Sequence, residues 1–220
     1  MSLKNKFKES GKTLRDIMVV VIGIAITFSL NNWISKRNER KDVQLYLNAV
    51  KMELEDNLKN VENIYIYHKE ARKLSEYLRS CKPDTYQLDS LNKYLRIIQS
   101  SQTFIWKTSA FEMFKMSGTM RLLKDKELLA SIWNTYERFE FIKNQNNSHM
   151  QKKDDLMFDL FAFIPNDIHT QTALSYLFPI PEFQRYLSFL KVPKNILENF
   201  LSGAEQIRET LDAIENQKKF

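Results

Sequence analysis

Residues 17–35 read IMVVVIGIAITFSLNNWIS, a run without a formal charge, set between Arg15-Asp16 and Lys36-Arg37. Nineteen residues in a helix extend roughly 28 Å, close to the hydrocarbon thickness of a bilayer. The run therefore predicts one membrane-spanning helix, with Ile17, Val21, Gly23, Ile26 and Leu30 in the lipid and Trp33 at headgroup level. An indole there has an apolar body for the acyl edge and an N–H for water, while Asn31 and Asn32 mark the change from hydrocarbon to interface. The competing reading of the same run is a buried core helix of a soluble protein.

Outward from that run, charge is distributed unevenly. The chain has 220 residues, an isoelectric point near 9.2 and a formal charge of +6. Residues 1–41 hold nine Lys/Arg against Glu9, Asp16 and Glu39, so they carry the whole excess and residues 42–220 are neutral. Cations beside a span are attracted to anionic headgroups. A nucleic-acid-binding face needs uncompensated charge on the body, so nucleic acid is not expected as a partner. Five basic residues lie within about twenty positions of either end of the span, so the positive-inside count does not fix orientation. A short basic tail ahead of a first span favours a signal-anchor with the body outside the cytoplasm. No small-residue cleavage site follows the run.

Beyond Lys36, no Gly or Pro occurs between Gly23 and Pro83, which predicts that the spanning helix continues as a stalk over 36–82. Val43, Leu47, Val50, Leu54, Leu58 and Val61 recur at three and four, followed by Ile64, Ala71, Leu74 and Leu78, with Glu53 and other charges on the remaining faces. That stripe needs a cover, and the first six residues are the expected partner face for pairing along the stalk as a coiled coil. After Pro83 a helix is expected through Leu88 to Ile98, and another from Phe104 to a left-handed cap at Gly118. A long helix should start at Asp125 and run to Leu160, with Pro165 ending it; short helices follow around 173–178 and 182–190, and a last one spans 195–218. No stretch alternates with a period of two. The fold class is all-α: a tail over 1–16, the span, the stalk, and an antiparallel helical bundle over 83–220 packed on the lower stalk.

The span end from Gly23 to Trp33, the charged KRNERK, and the block SGTMRLLKDKEL at Ser117 to Leu128 resemble an uncharacterised group of single-span bacterial membrane proteins, the family of domain of unknown function 6090. The resemblance covers about residues 14–145. It implies an inner-membrane protein with a helical, periplasmic body, and it brings no activity with it. Gly11 to Ile26 is also similar to the N-terminus of type IV pilins, but departs from it at Lys12 and Arg15 and lacks any sheet-forming sequence to follow.

Chemistry has few candidates. His68, His149 and His169 lie in separate segments without zinc-ligand spacing, and solvent-facing or capping imidazoles are expected. Four glycines build no phosphate loop, and no nucleophile elbow is present. Cys81 has no activating neighbour in sequence and excludes an internal disulfide. Glu112, Glu137 and Glu140 lack the Glu-x-x-His repeats of helical di-iron sites, and Trp106, Phe111, Phe114, Trp133, Tyr136 and Phe139 read as core. No catalytic residue, metal or cofactor is expected. The function expected is a non-enzymatic, membrane-anchored scaffold or interaction module whose partners are the lipid bilayer and another protein, or a second copy. A ligand-sensing bundle that signals through a partner is the alternative from another class.

Overall fold

In the computed structural model the described residues are 3–80, 97–164 and 176–217. One helix, α1, runs from Leu3 to Ser80, 78 residues or on the order of 115 Å. The absence of Pro from 3–80 lets its backbone ladder continue unbroken through the apolar run and beyond it. Among the described residues the longer helices that follow are α2 (Ser109–Met116), α3 (Lys126–Phe161), α4 (Pro181–Leu190) and α5 (Lys194–Gln217). A one-turn 3-10 helix at Thr119–Leu122 precedes α3. No strand occurs among the described residues.

The chain goes up α1, down through residues 97–125, up α3 and down α5. Lys51 to Glu215 (2.5 Å) and Glu62 to Arg208 (2.6 Å) fix α5 antiparallel to α1. Asp125 to Gln217, Ser131 to Thr210 and Gln145 to Asn199 do the same for α3 and α5. Two helices running parallel, α1 and α3, are thus bridged by one running against both. The larger core cluster joins the middle of α1, residues 104–106, α2, the first half of α3 and α5; a smaller one joins the end of α1 to Ile98, Leu160 and α4.

Local sequence accounts for most helix ends. The Asp125 carboxylate accepts from the Leu128 N–H at 2.9 Å and starts α3. Pro181 stands in the first turn of α4, where its missing N–H is harmless. Gly118 has φ 69, immediately after the Ser117 cap of α2, the backbone turn that glycine adopts without strain. Gly203 serves closeness rather than conformation: a methyl there would lie 2.6 Å from Cζ of Phe139, and Phe139 is itself stacked on Trp106 at 4.3 Å.

Where the sequence predicts helix from Phe104 onward, residues 100–108 are non-helical. Phe104 and Trp106 are buried and Ile105 and Lys107 exposed, the alternation of an extended chain. A buried extended backbone needs partners for its N–H and C=O groups. Two asparagine amides provide them: Asn57 accepts from the Lys107 N–H at 3.0 Å and donates to its carbonyl at 2.8 Å. Asn147 does the same for Phe104 at 2.8 and 3.3 Å. The helix expected after Pro83 lies outside the described residues up to 96, and its end at 97–99 is helical; Pro165 as a stop and most of the short helix expected at 173–178 also lie outside them.

Candidate functional site

α1 carries two apolar lengths in opposite surroundings. From Ile17 to Ile34 the large apolar side chains are 48–71% exposed. This is the one helix among those described that is long and apolar enough to cross a membrane, its most apolar 18-residue window having a mean hydropathy of 2.0 with no part covered. Ile17, Val21, Ile26, Leu30 and Trp33 all stand uncovered, and a methyl added at Gly23 would meet nothing. The Thr27 hydroxyl donates back to the Gly23 carbonyl at 2.8 Å, so this polar group is satisfied within the helix.

Past Lys36 the surroundings change. Leu47, Val50, Leu54 and Val61 are buried, and Val43 and Leu58 are half-buried against the same core. The cover comes from α2, α3 and α5 of the same chain. The line of contact is Leu47, Val50, Leu54, Asn57, Val61, Ile64, His68, Ala71, Ser75 and Leu78, alternating steps of three and four, each 0–3% exposed. This 3.5-residue repeat keeps one line of side chains on the covered side along the helix. Three of its positions are polar, and Glu53 lies buried beside them instead of on an outer face.

These buried polar groups hold the neighbouring legs in place. The Glu53 carboxylate accepts the Ala110 and Phe111 N–H groups at 2.8 and 3.3 Å and the Tyr136 hydroxyl at 2.7 Å. Thr108 makes no side-chain cap, so α1 caps α2 across space. Burial, and then the bond to Glu53, hold the Tyr136 phenol far above its ordinary range. His68 bonds through Nε2 to Asn146 at 2.6 Å; burial lowers its pKa from 6.5 to about 4, so the imidazole is neutral. His149, stacked on Phe189, meets the Phe189 carbonyl at 3.1 Å and is also lowered by burial.

Lys153 is 1% exposed. Burial lowers its pKa to about 8. Its ammonium donates to the Tyr67 hydroxyl (3.0 Å), the Ile97 carbonyl (2.8 Å) and the Ser100 carbonyl (2.5 Å). Three acceptors match three donors, so this lysine is a strut between α1, α3 and the chain entering the non-helical leg.

The carboxylates that lack the di-iron repeats have ordinary surface partners: Glu112 pairs with Lys115, Glu140 with Lys143, and Glu137 accepts from the Trp133 indole at 2.7 Å. Phe111 on Tyr136 (4.2 Å) and Trp106 on Phe139 (4.3 Å) stack as core, while Trp133 lies near the surface beneath Lys115. No group of three His, Cys, Asp or Glu able to hold a metal occurs among the described residues. Cys81 and His169 lie outside them.

Between the two lengths of α1 sits a basic collar. The Arg37 guanidinium lies 5.5 Å over the Trp33 ring. Next to it, Leu122, Leu123 and Lys124 of the turn before α3 close a groove of about 690 Å³ against Lys36, Arg40 and Val43. The motif SGTMRLLKDKEL is thus what brings the loop end of the bundle down to the end of the apolar run.

The fold and this collar define an all-α protein whose longest helix is bare and apolar in one half and core-forming in the other. The family of unknown function DUF6090 matches residues 16–158, more than half of the chain, and the chain belongs to that family. The match begins one residue before the apolar run and ends inside α3, so α4 and α5 lie beyond it. No curated protein and no solved structure matches the chain.

Sequence reasoning missed Glu53, Asn57, Asn147 and Lys153. The signal for Asn57, His68 and Ser75 was present in the heptad spacing, where polar residues occupy seam positions. Nothing local marks Glu53 or Lys153, whose partners lie 57 and 86 residues away.

Proposed function

We propose that the protein is a membrane-anchored helical module without catalytic activity, whose body acts through protein contacts. In this reading residues 17–35 cross the bacterial inner membrane once, the basic tail stays in the cytoplasm, and the bundle stands in the periplasm. The observation that supports it is the change of surroundings along one unbroken helix: apolar side chains uncovered on every side up to Ile34, apolar side chains on one covered face from Val43. An all-round apolar helix left bare in water is unfavourable at about 25 cal/mol per Å² of apolar surface, and lipid removes that penalty.

The interior favours a structural body over a reactive one. Its charged and imidazole groups are engaged with backbone carbonyls, amides and phenols of the adjoining legs. Pairing of two copies along α1 has to use the outer line of Leu45, Met52 and Ile66, all exposed, because the inner line is covered within one chain. The test is membrane fractionation with an alkaline carbonate wash, together with alkaline phosphatase fused after Phe220. A pelleted chain with an active fusion is the expected result. A chain that stays in the supernatant, or a fusion active only when moved to the N-terminus, refutes the reading or its orientation respectively.

A further inference from the structure

We infer that the groove between Lys36, Arg40 and Lys124 is a binding site for the phosphate headgroup of an anionic phospholipid. The inference rests on residues 17–35 spanning the bilayer and adds a specific ligand to that reading. Three observations carry it. The first is charge that the protein leaves uncompensated. Among the described residues, the ion pairs involve only residues from Lys51 onward, where Lys51, Lys59, Arg72, Lys73, Lys107, Lys115, Lys143, Lys191, Lys194 and Arg208 each have a carboxylate partner. Lys36, Arg37, Arg40, Lys41 and Lys124 have none; Lys69, Arg79, Arg121, Lys126, Arg138, Lys152 and Arg185 have none either, but of all these only Lys36, Arg40 and Lys124 converge on this groove.

The second is composition of the groove. Its lining combines Val43, Leu47, Leu122 and Leu123 with three cations, and Glu39 is the one acid among the lining residues. Glu39 accepts from the Ser35 hydroxyl at 3.3 Å. A phosphodiester on a glycerol with the start of its acyl chains has the matching pattern, an anionic head on an apolar stem. The third is height. Lys36 follows the apolar run directly and Val43 stands roughly 12 Å beyond Ser35 along the axis, so the mouth of the groove opens in the headgroup layer, which is about 5–8 Å thick on each side. Lys124 is distant from Lys36 in sequence and is brought there by the turn between Gly118 and Asp125.

The test uses the full chain in a nonionic detergent, with phosphatidylglycerol and phosphatidylcholine of the same acyl chains as probes, counted by native mass spectrometry. Phosphatidylglycerol is expected to bind in preference. The triple variant Lys36→Gln, Arg40→Gln, Lys124→Gln is expected to lose that preference by tenfold or more, since each cation near a membrane surface is worth roughly fivefold in affinity. A control triple, Lys59→Gln, Lys73→Gln, Lys194→Gln, should retain it, and circular dichroism melts of the body should be the same for all three proteins. Equal binding of the two lipids by the native chain, or an unchanged preference in the first variant, overturns the site. Displacement of phosphatidylglycerol by millimolar inorganic phosphate overturns the lipid assignment, because the groove then reads a free anion. The carbonate wash separates these results from the parent reading: a washed membrane that keeps the native chain and both variants leaves the span intact whatever the lipid counts, and one that releases the native chain removes both.

Discussion

The two lengths of α1 differ in apolar density, 13 of 19 residues over 17–35 against 18 of 36 over 43–78, and they have opposite fates. Residues 17–35 are apolar on every face and nothing in the fold touches them; residues 43–78 are apolar on one seam, and that seam is fully covered. The difference is angular. A helix that is hydrophobic all round cannot be satisfied by partners on one side and needs an apolar solvent, whereas a stripe needs only neighbours. One backbone ladder runs through both, so the junction at Lys36 to Lys41 is set by side chains alone.

The comparison is sharpest under an identical substitution in each half. Leu54→Asp places an unpaired carboxylate at a fully buried position and is expected to destabilise the body by about 4 kcal/mol or more, read as a lost cooperative melt in detergent. Ile26→Asp should leave that melt unchanged and instead weaken membrane retention, by roughly 2.5–3.5 kcal/mol on an insertion scale. Equal effects of the two on the melt would break the distinction between halves.

Next in size is the cap supplied across space. Glu53→Ala leaves two N–H groups and a phenol without their acceptor and should cost about 2–3 kcal/mol in urea denaturation, with Glu53→Gln recovering part of it. In the apolar run the Thr27 hydroxyl bonds only its own helix, so Thr27→Val should be silent in the same assay.

The neutral His68 makes the covered half sensitive to acid. Its pKa is about 4 in the folded chain against 6.5 unfolded. Between these values the unfolded chain binds a proton that the folded chain does not, so stability is retained above 6.5 and falls as pH drops toward 4, by roughly 1.4 kcal/mol per pH unit. His149 shifts in the same direction. The slope of stability against pH should shrink in His68→Gln, and an unchanged slope would assign the effect elsewhere. The smallest effect is expected on the outer surface: Lys59→Ala breaks an exposed pair with Asp56 and should shift stability by less than about 0.5 kcal/mol.

The non-helical leg shows why sequence reading stops where it does. Phe104, Ile105, Ala110, Phe111 and Phe114 have a helical arrangement on paper, yet only Ala110, Phe111 and Phe114 are in a helix. The Asn57 and Asn147 amides offer residues 104–107 the hydrogen bonds a helix would otherwise supply, and a choice made by partners 43 and 50 residues away leaves no local trace. Asp125, Gly118 and the bounds of α4 and α5 were legible, by contrast, because capping and proline act within a turn.

By itself the sequence determined the all-round apolar run at 17–35, the basic excess beside it, the unbroken helix beyond, the all-α class and the family, since each depends on composition or on a period along the chain. Only the tertiary structure decided that the stalk's stripe is covered by its own chain, that Glu53 caps α2, that Lys153 and His68 are interior, and that Lys124 stands beside Lys36. Those are meetings between distant segments, and which segments meet is fixed by the packing of the whole core rather than by any stretch within it.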